Sequence, residues 1–464
     1  MSAFPELDHF LEQHPDTRHV DVFLNDLNGV ERGKRIERES LERLYSEGML
    51  LPGSMFALDV QGGTIQESGL GFDEGDADRP CKPLPDSLVP VPWQSGGVAQ
   101  VQVAMYEPDG RAFFADPRHV LTKVLDRFHR LNLTPVVALE YEFYFIDRER
   151  LEGGMPQPPP LPITGRREFR TQINSMTDLN EFSKVLSRID EVARIQGLPS
   201  TSALAEYGPG QFEVNLEHRP DALRACDEAM RFKRVVRSVA REQGWDATFL
   251  PKPYRDMAGS GLHVHVSVLD AAGQNIFACP NPADAPDDAP HHGIESSALR
   301  HAIGGMLRSL ADGMAICAPG PNSYRRFRPE AYVPMIPCWS INNRGTAVRI
   351  PLSDVHNRRI EHRLAGADAN PYLVVAWVLA GIHHGIAEAL EPSAPIRGNA
   401  YRESGERLPL HWASAIERFE RSEFAASYLG RPFRDHYAKV KQGELDEFNS
   451  HLTSLEMQWY LGAI

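Results

Sequence analysis

Two segments far apart in the chain each carry metal-binding side chains two residues apart. Residues 138–145 read Ala-Leu-Glu-Tyr-Glu-Phe-Tyr-Phe and hold Glu140 and Glu142. Residues 259–267 read Gly-Ser-Gly-Leu-His-Val-His-Val-Ser and hold His263 and His265. In a β-strand, side chains at i and i+2 point to the same face. Each segment therefore aims its polar pair at one side of a sheet and its hydrophobic neighbours at the other. Carboxylates crowded on such a face repel one another and lose hydration, and a divalent cation between them relieves both costs. Residues 205–215 add Glu206 and Glu213, and residues 358–363 add Glu361 flanked by Arg359 and Arg363. Carboxylates for metal together with arginines for phosphate are what phosphoryl transfer requires.

Taken singly, each signal is weak. Two strand glutamates are usually a solvent-facing row, a lone strand histidine is more often a core residue than a ligand, and arginine-rich loops are usually solvated. The combination is harder to explain as surface, because Ala138, Tyr141, Phe143 and Phe145 leave little of the first strand polar.

A length of 464 residues allows a large core and more than one domain. The net charge of −14 argues against nucleic acid and anionic membrane as partners. No apolar run approaches the ~20 residues of a membrane span, and the N-terminal residues lack the pattern of a secretory signal. Cys81, Cys226, Cys279, Cys317 and Cys338 are scattered and odd in number, which fits free thiols in a cytoplasmic protein.

Along the chain, residues 19–36 read as a hairpin turning at Asn28-Gly29. Residues 62–92 are Gly/Asp/Pro-rich and read as loop. Residues 98–105 alternate as a strand. Asp116-Pro117 opens a helix with Val120, Leu121, Val124, Leu125, Phe128 and Leu131 as its apolar stripe. A domain boundary is placed near residue 115, giving a small strand-rich domain (1–115) and a large one (116–464) of α+β class. Further expectations are an exposed loop over 151–167, one helix over 179–196 stopped by Gly197, another over 221–243, and a solvated acidic loop over 280–290. A buried apolar helix is expected from Asn370-Pro371 to about Leu390.

In combination and order, these motifs resemble the glutamine synthetase family. They are Glu140-x-Glu142, Pro209-Gly210-Gln211-x-Glu213, Phe249-Leu250-Pro251-Lys252-Pro253 and Gly259-Ser260-Gly261-x-His263-x-His265-x-Ser267. Asn322-Ser323-Tyr324-x-Arg326, Asn343-Arg344, Arg349-Ile350-Pro351 and Arg359-Ile360-Glu361-x-Arg363 complete the set. The resemblance spans nearly the whole chain. It implies an N-terminal β-grasp domain, a catalytic domain built on a curved antiparallel sheet flanked by helices, and a homo-oligomer in which each site lies between neighbours. A hexameric ring and a stacked double ring both remain open. It implies that Glu142, Glu206 and Glu213 hold one divalent metal and Glu140, His263 and Glu361 a second, magnesium or manganese. Arg326 and Arg363, with the Gly259 backbone, are implied to bind L-glutamate. Arg344 and Arg349 are implied to meet the ATP phosphates, with His265, Ser267 and Arg359 on the nucleotide side. Arg344, Arg326 and Tyr332 are the residues assigned to the reaction itself.

The sequence departs from the family's ammonia-using pattern at two acids. The N-terminal acid falls at Ala57, with Asp59 two positions displaced, and the flap acid falls at Tyr332, with Glu330 offset. An alanine opens room and an aromatic ring offers a stacking or cation–π surface. That resembles the glutamate–amine ligase branch, in which an organic amine attacks γ-glutamyl phosphate. Tyr332, together with Trp339, leans the reading toward a monoamine, bulky or aromatic. A polyamine, ammonia itself (rescued by Glu330 or Asp59) and a catalytically inactive family member are the alternatives. Residues 401–403, Tyr-Arg-Glu, depart from the family's adenylylation site, which makes that form of regulation doubtful.

Overall fold

The computed structural model describes residues 4–278, 296–354 and 356–464. The acidic loop expected over 280–290 and Cys279 lie outside the described residues, whereas Cys81, Cys226, Cys317 and Cys338 are buried free thiols. No described helix is long and apolar enough to cross a membrane.

Six strands form the first sheet: β1 (His19–Asn25), β2 (Glu31–Glu37), β3 (Met49–Pro52), β4 (Asp78–Pro83), β5 (Val89–Pro90) and β6 (Val98–Met105). Their order is β2-β1-β6-β4-β3, with β5 added on β6. The hairpin forms as read, β1 antiparallel to β2, while β1 and β6 run parallel. Residues 62–92 are not all loop. β4 forms there around the buried Arg79 and Cys81, and the half-buried β5 forms by pairing with β6.

The helix Pro117–Arg130 is capped by Asp116, whose side chain accepts from the Arg118 N–H. Five of the six predicted stripe residues are buried. Leu131 is not, being 46% exposed just past the last helical turn.

The second sheet has eight strands: β7 (Thr134–Asp147), β8 (Ser200–Ala205), β9 (Gln211–Leu216), β10 (Trp245–Thr248), β11 (Leu262–Leu269), β12 (Trp339–Ile341), β13 (Val348–Ile350) and β14 (Ile360–His362). The order is β12-β13-β14-β11-β7-β9-β8, with β10 on β7, and every pair but β12–β13 is antiparallel. The helix Ala222–Glu242 packs on β7 and β10, and Pro371–Ala387, buried over nearly its whole length, packs behind it against that helix and Pro117–Arg130. The helix expected over 179–196 is two, Met176–Glu181 and Ser183–Ile195. Phe182 sits at the break and stacks on Phe145 with rings 5.8 Å apart. Gly197 ends the second helix with φ +65°.

Candidate active site

Strand register brings the ligand pairs together. His263 on β11 lies opposite Glu140 on β7, and Glu142 lies opposite Glu213 on β9. His265 lies opposite Glu361 on β14, which in turn faces Arg349 on β13. Along β7, Leu139, Tyr141, Phe143 and Phe145 are buried on the helix side, so Glu140 and Glu142 face the other way.

Two triplets place one ligand atom from each residue within 4.8 Å of the others: Glu142, Glu206 and Glu213, and Glu140, Glu213 and His263. The first is the set expected from the sequence. The second differs, with Glu213 where Glu361 was expected. Glu361 is 1% exposed by side chain and is held by Arg349 at 2.7 Å and by Arg363. Burial would raise its carboxyl, but Arg363, His265, His263 and Arg349 hold it down at about 2.

Like charge is crowded around Glu213. Burial first, then Glu140, Glu142 and Glu206, push its carboxyl far above the usual range. Glu206 rises to about 7 through burial and the charges of Glu142 and Glu140. Glu140 is opposed by burial yet lies well below its ordinary value, because His263 and His265 hydrogen-bond it at 3.2 and 2.7 Å. A cluster that forces protons onto its own carboxylates is short of positive charge. Its oxygen-rich set with one imidazole fits magnesium or manganese.

These groups open into a cavity of about 550 Å³, whose walls include Glu142, Glu206, Glu213 and His263 at one end. Gly259, Arg326, Arg344 and Arg363 are on it, and so are Glu330 and Tyr332. Arg326 is 3% exposed, and its Nη1 donates to the Leu364 carbonyl at 3.1 Å. Gly259 is required there, since a Cβ would meet Arg326 Cγ and the Pro251 carbonyl, each at 2.8 Å. Arg363 Nε donates to the Arg344 carbonyl, tying two of the arginines together. Arg359 Nε donates to His265 Nδ1 at 3.4 Å. Arg349 and Arg359 are thus linked to the cluster through Glu361 and His265, and Ser267 lies two residues along β11 from His265.

Three residues weighed for the amine do not line this cavity. Ala57 is 0% exposed, in a short turn whose Phe56 carbonyl is bound by His436, and it opens no space to this cavity. Asp59 spends its side chain on the Gln61 and Gly63 N–H groups of its own loop. Trp339 is 3% exposed and donates to the Ser393 carbonyl, so it is core and not site surface. By contrast, Glu330 and Tyr332 both reach the cavity, on a loop where each has left-handed φ, +63° and +54°. The Tyr332 ring lies 6.1 Å from that of Tyr207. Tyr207, Ile173 and Asp256 also line the cavity. Sequence reasoning missed all three, because they sit on irregular segments with no periodicity to mark them.

Comparison with known proteins places the chain in a family. The glutamine synthetase catalytic domain profile matches residues 114–460. A gamma-glutamylputrescine synthetase, PuuA of Escherichia coli K12, is 41% identical over 99% of this chain and 95% of its own. A glutamate–isopropylamine ligase of a Pseudomonas species is 31% identical over 98% and 97%. The solved structure of a GmaS–ADP complex superposes with a TM-score of 0.83 at 27% identity, covering 98% of this chain and 99% of that one.

Proposed function

Because the chain belongs to the glutamine synthetase family, we propose that it is an ATP-dependent ligase joining the γ-carboxylate of L-glutamate to a primary organic amine. The observation that carries this reading is a single cavity holding the carboxylate cluster at one end and Arg326, Arg344 and Arg363 beside it. Glu142, Glu206 and Glu213 would hold one divalent ion, and Glu140 and His263 a second with Glu361 adjacent. Ions bound there would supply the positive charge that phosphoryl transfer needs. Arg326, Arg363 and the Gly259 backbone bind the carboxylates of glutamate. Arg344 and Arg349 meet the ATP phosphates, and His265, Ser267 and Arg359 support the nucleotide. A γ-carboxylate oxygen attacks the terminal phosphorus and ADP leaves. The amine nitrogen then attacks the acyl carbon, phosphate leaves, and the nitrogen loses its extra proton.

For the amine itself we favour a small aliphatic diamine. Glu330 and Asp256 on the cavity wall would pair with a second ammonium, and the 41% identical relative is named for putrescine. The second reading, a monoamine with a bulky or aromatic group, is favoured by the Tyr207–Tyr332 ring pair. The proposal includes the division into 1–115 and 116–464, supported by two sheets that share no strand, and a homo-oligomer of one ring or two.

The test is isotopic. With L-glutamate labelled by ¹⁸O in the γ-carboxylate, one label should appear in the phosphate released during amine-dependent turnover. Phosphate without label would rule out transfer through γ-glutamyl phosphate.

A further inference from the structure

Arg326 is bordered by glycines on three sides. Ideal Cβ atoms on Gly259, Gly261 and Gly366 would lie 2.8, 3.5 and 3.3 Å from its side-chain atoms. The Gly366 position is the informative one, because the same Cβ would lie 2.4 Å from Asp368 Oδ1. Only a missing side chain thus lets the Asp368 carboxylate face the Arg326 guanidinium. Asp368 Oδ1 and Arg326 Nε are both shut off from solvent, and neither has a hydrogen-bond partner among the described residues. No hydrogen bond joins the two groups, so what acts across the Gly366 gap is the attraction between a buried carboxylate and a buried guanidinium.

Asp368 is itself held firmly. Ser323 Oγ donates to its Oδ2 at 2.7 Å. The backbone on its N-terminal side is pinned at three points. Gly366 N–H donates to the Cys317 carbonyl, Ala367 N–H donates to the Ser260 carbonyl, and the Ala367 carbonyl accepts from the buried Lys233 ammonium at 2.9 Å. A fixed anion beside a cation whose other end enters the cavity is suited to aiming that cation.

We propose that Asp368 is a positioning residue for the ligation: through the gap left by Gly366, its carboxylate fixes the Arg326 guanidinium at the angle at which it meets a substrate carboxylate. The inference rests on the reading of Arg326 as a glutamate-binding residue. Asp368 touches no substrate and acts on binding through Arg326 alone, so its loss should move glutamate affinity and leave nucleotide affinity where it was.

The experiment is steady-state kinetics on the full chain for wild type, Asp368→Asn, Arg326→Lys and the double variant. Asp368→Asn should raise the KM for glutamate roughly tenfold, as expected for losing the attraction of a buried opposite charge. The KM for ATP should not change, and kcat at saturating glutamate should stay within about threefold. In the Arg326→Lys background, Asp368→Asn should add little, because the group it aims has already lost its fork. A folded Asp368→Asn protein with unchanged glutamate KM, or effects that multiply fully in the double variant, would overturn the inference. If Arg326→Lys alone leaves the glutamate KM unchanged, the arginine has been misread and the inference falls with it. If Arg326→Lys raises the KM while Asp368→Asn does not, only the inference fails. Should Asp368→Asn not fold, Ser323→Ala decides: loss of the Oδ2 anchor should raise the glutamate KM a few-fold, and no rise overturns the proposal.

Discussion

The two ends of the cavity are built differently. At the carboxylate end, every proposed ligand but Glu206 sits on a strand of one sheet, in register with its partner: Glu140 with His263, Glu142 with Glu213. At the other end, Tyr332 and Glu330 stand on a loop in left-handed backbone, and Ile173, Tyr207 and Asp256 lie on irregular segments. Strand geometry fixes side chains to a fraction of an ångström and tolerates little change. Loops accept substitution and insertion without disturbing the sheet. The difference predicts that substitutions at the sheet-mounted end abolish activity and those at the loop-mounted end change selectivity.

The sharpest way to break the sheet-mounted end is Glu142→Gln. The amide keeps an oxygen for the Gly261 N–H now bonded at 2.9 Å, so the fold should persist. It cannot replace a carboxylate facing a divalent ion. Activity should fall by about 10²–10³, equivalent to several kcal/mol of lost charge stabilisation. Phosphate release over a magnesium titration, with circular dichroism on the same sample, reads both halves of the expectation.

Arg363→Lys comes next. The side chain lies on the cavity, paired with Glu361 and bound to the Arg344 carbonyl. An ammonium cannot reproduce a planar fork, so kcat/KM for glutamate should drop by roughly 2–4 kcal/mol. Unchanged glutamate kinetics would mean that this arginine serves only to hold Glu361.

At the loop-mounted end, smaller effects with more selectivity are expected. Tyr332→Glu places a carboxylate on the cavity wall and removes one member of the Tyr207 ring pair. The ratio of kcat/KM for ammonia to that for the best organic amine should rise by about tenfold, the scale of general acid–base or cation-pairing assistance partly realised. A ratio that stays fixed would show that this loop does not choose the nucleophile.

How far each end could be read from sequence follows from the same contrast. The i, i+2 spacing of Glu140/Glu142 and His263/His265 dictated a shared face, and register then delivered the cluster. Spacing could not disclose that Glu361 would be taken up by Arg349 and Arg363, because ion pairing depends on which strand becomes the neighbour. Tyr332 and Glu330 compete for one motif position in sequence, whereas the loop's left-handed turns bring both to the cavity. Ala57 matched by motif but is packed into the core of its own chain, and Trp339 matched by composition but serves the core. The β4 and β5 strands were hidden by prolines and glycines around them, since short strands take their stability from partners far away in sequence.

The smallest expected effect is thermal. Glu206 and Glu213 have carboxyls raised above the ordinary value by burial and mutual repulsion. For groups raised in this way, the contribution to stability is full below the unfolded value, and it is lost as pH rises through the folded one. In chelated protein, Tm should therefore fall as pH climbs through neutrality. Magnesium removes the need for those protons, so the Tm difference between loaded and chelated protein should widen by a few degrees over the same range. A difference independent of pH would disconnect these carboxylates from the metal.

The most direct test of the account is the wild-type specificity ratio. Phosphate release is followed at saturating glutamate and ATP with ammonia, putrescine, isopropylamine and benzylamine as acceptors. The account predicts that an organic amine has a kcat/KM at least about a hundredfold above ammonia, the scale on which a pocket discriminates by positioned polar and apolar contacts. A wild type that prefers ammonia would contradict it, and would make Glu330 the acid of an ordinary glutamine-forming site.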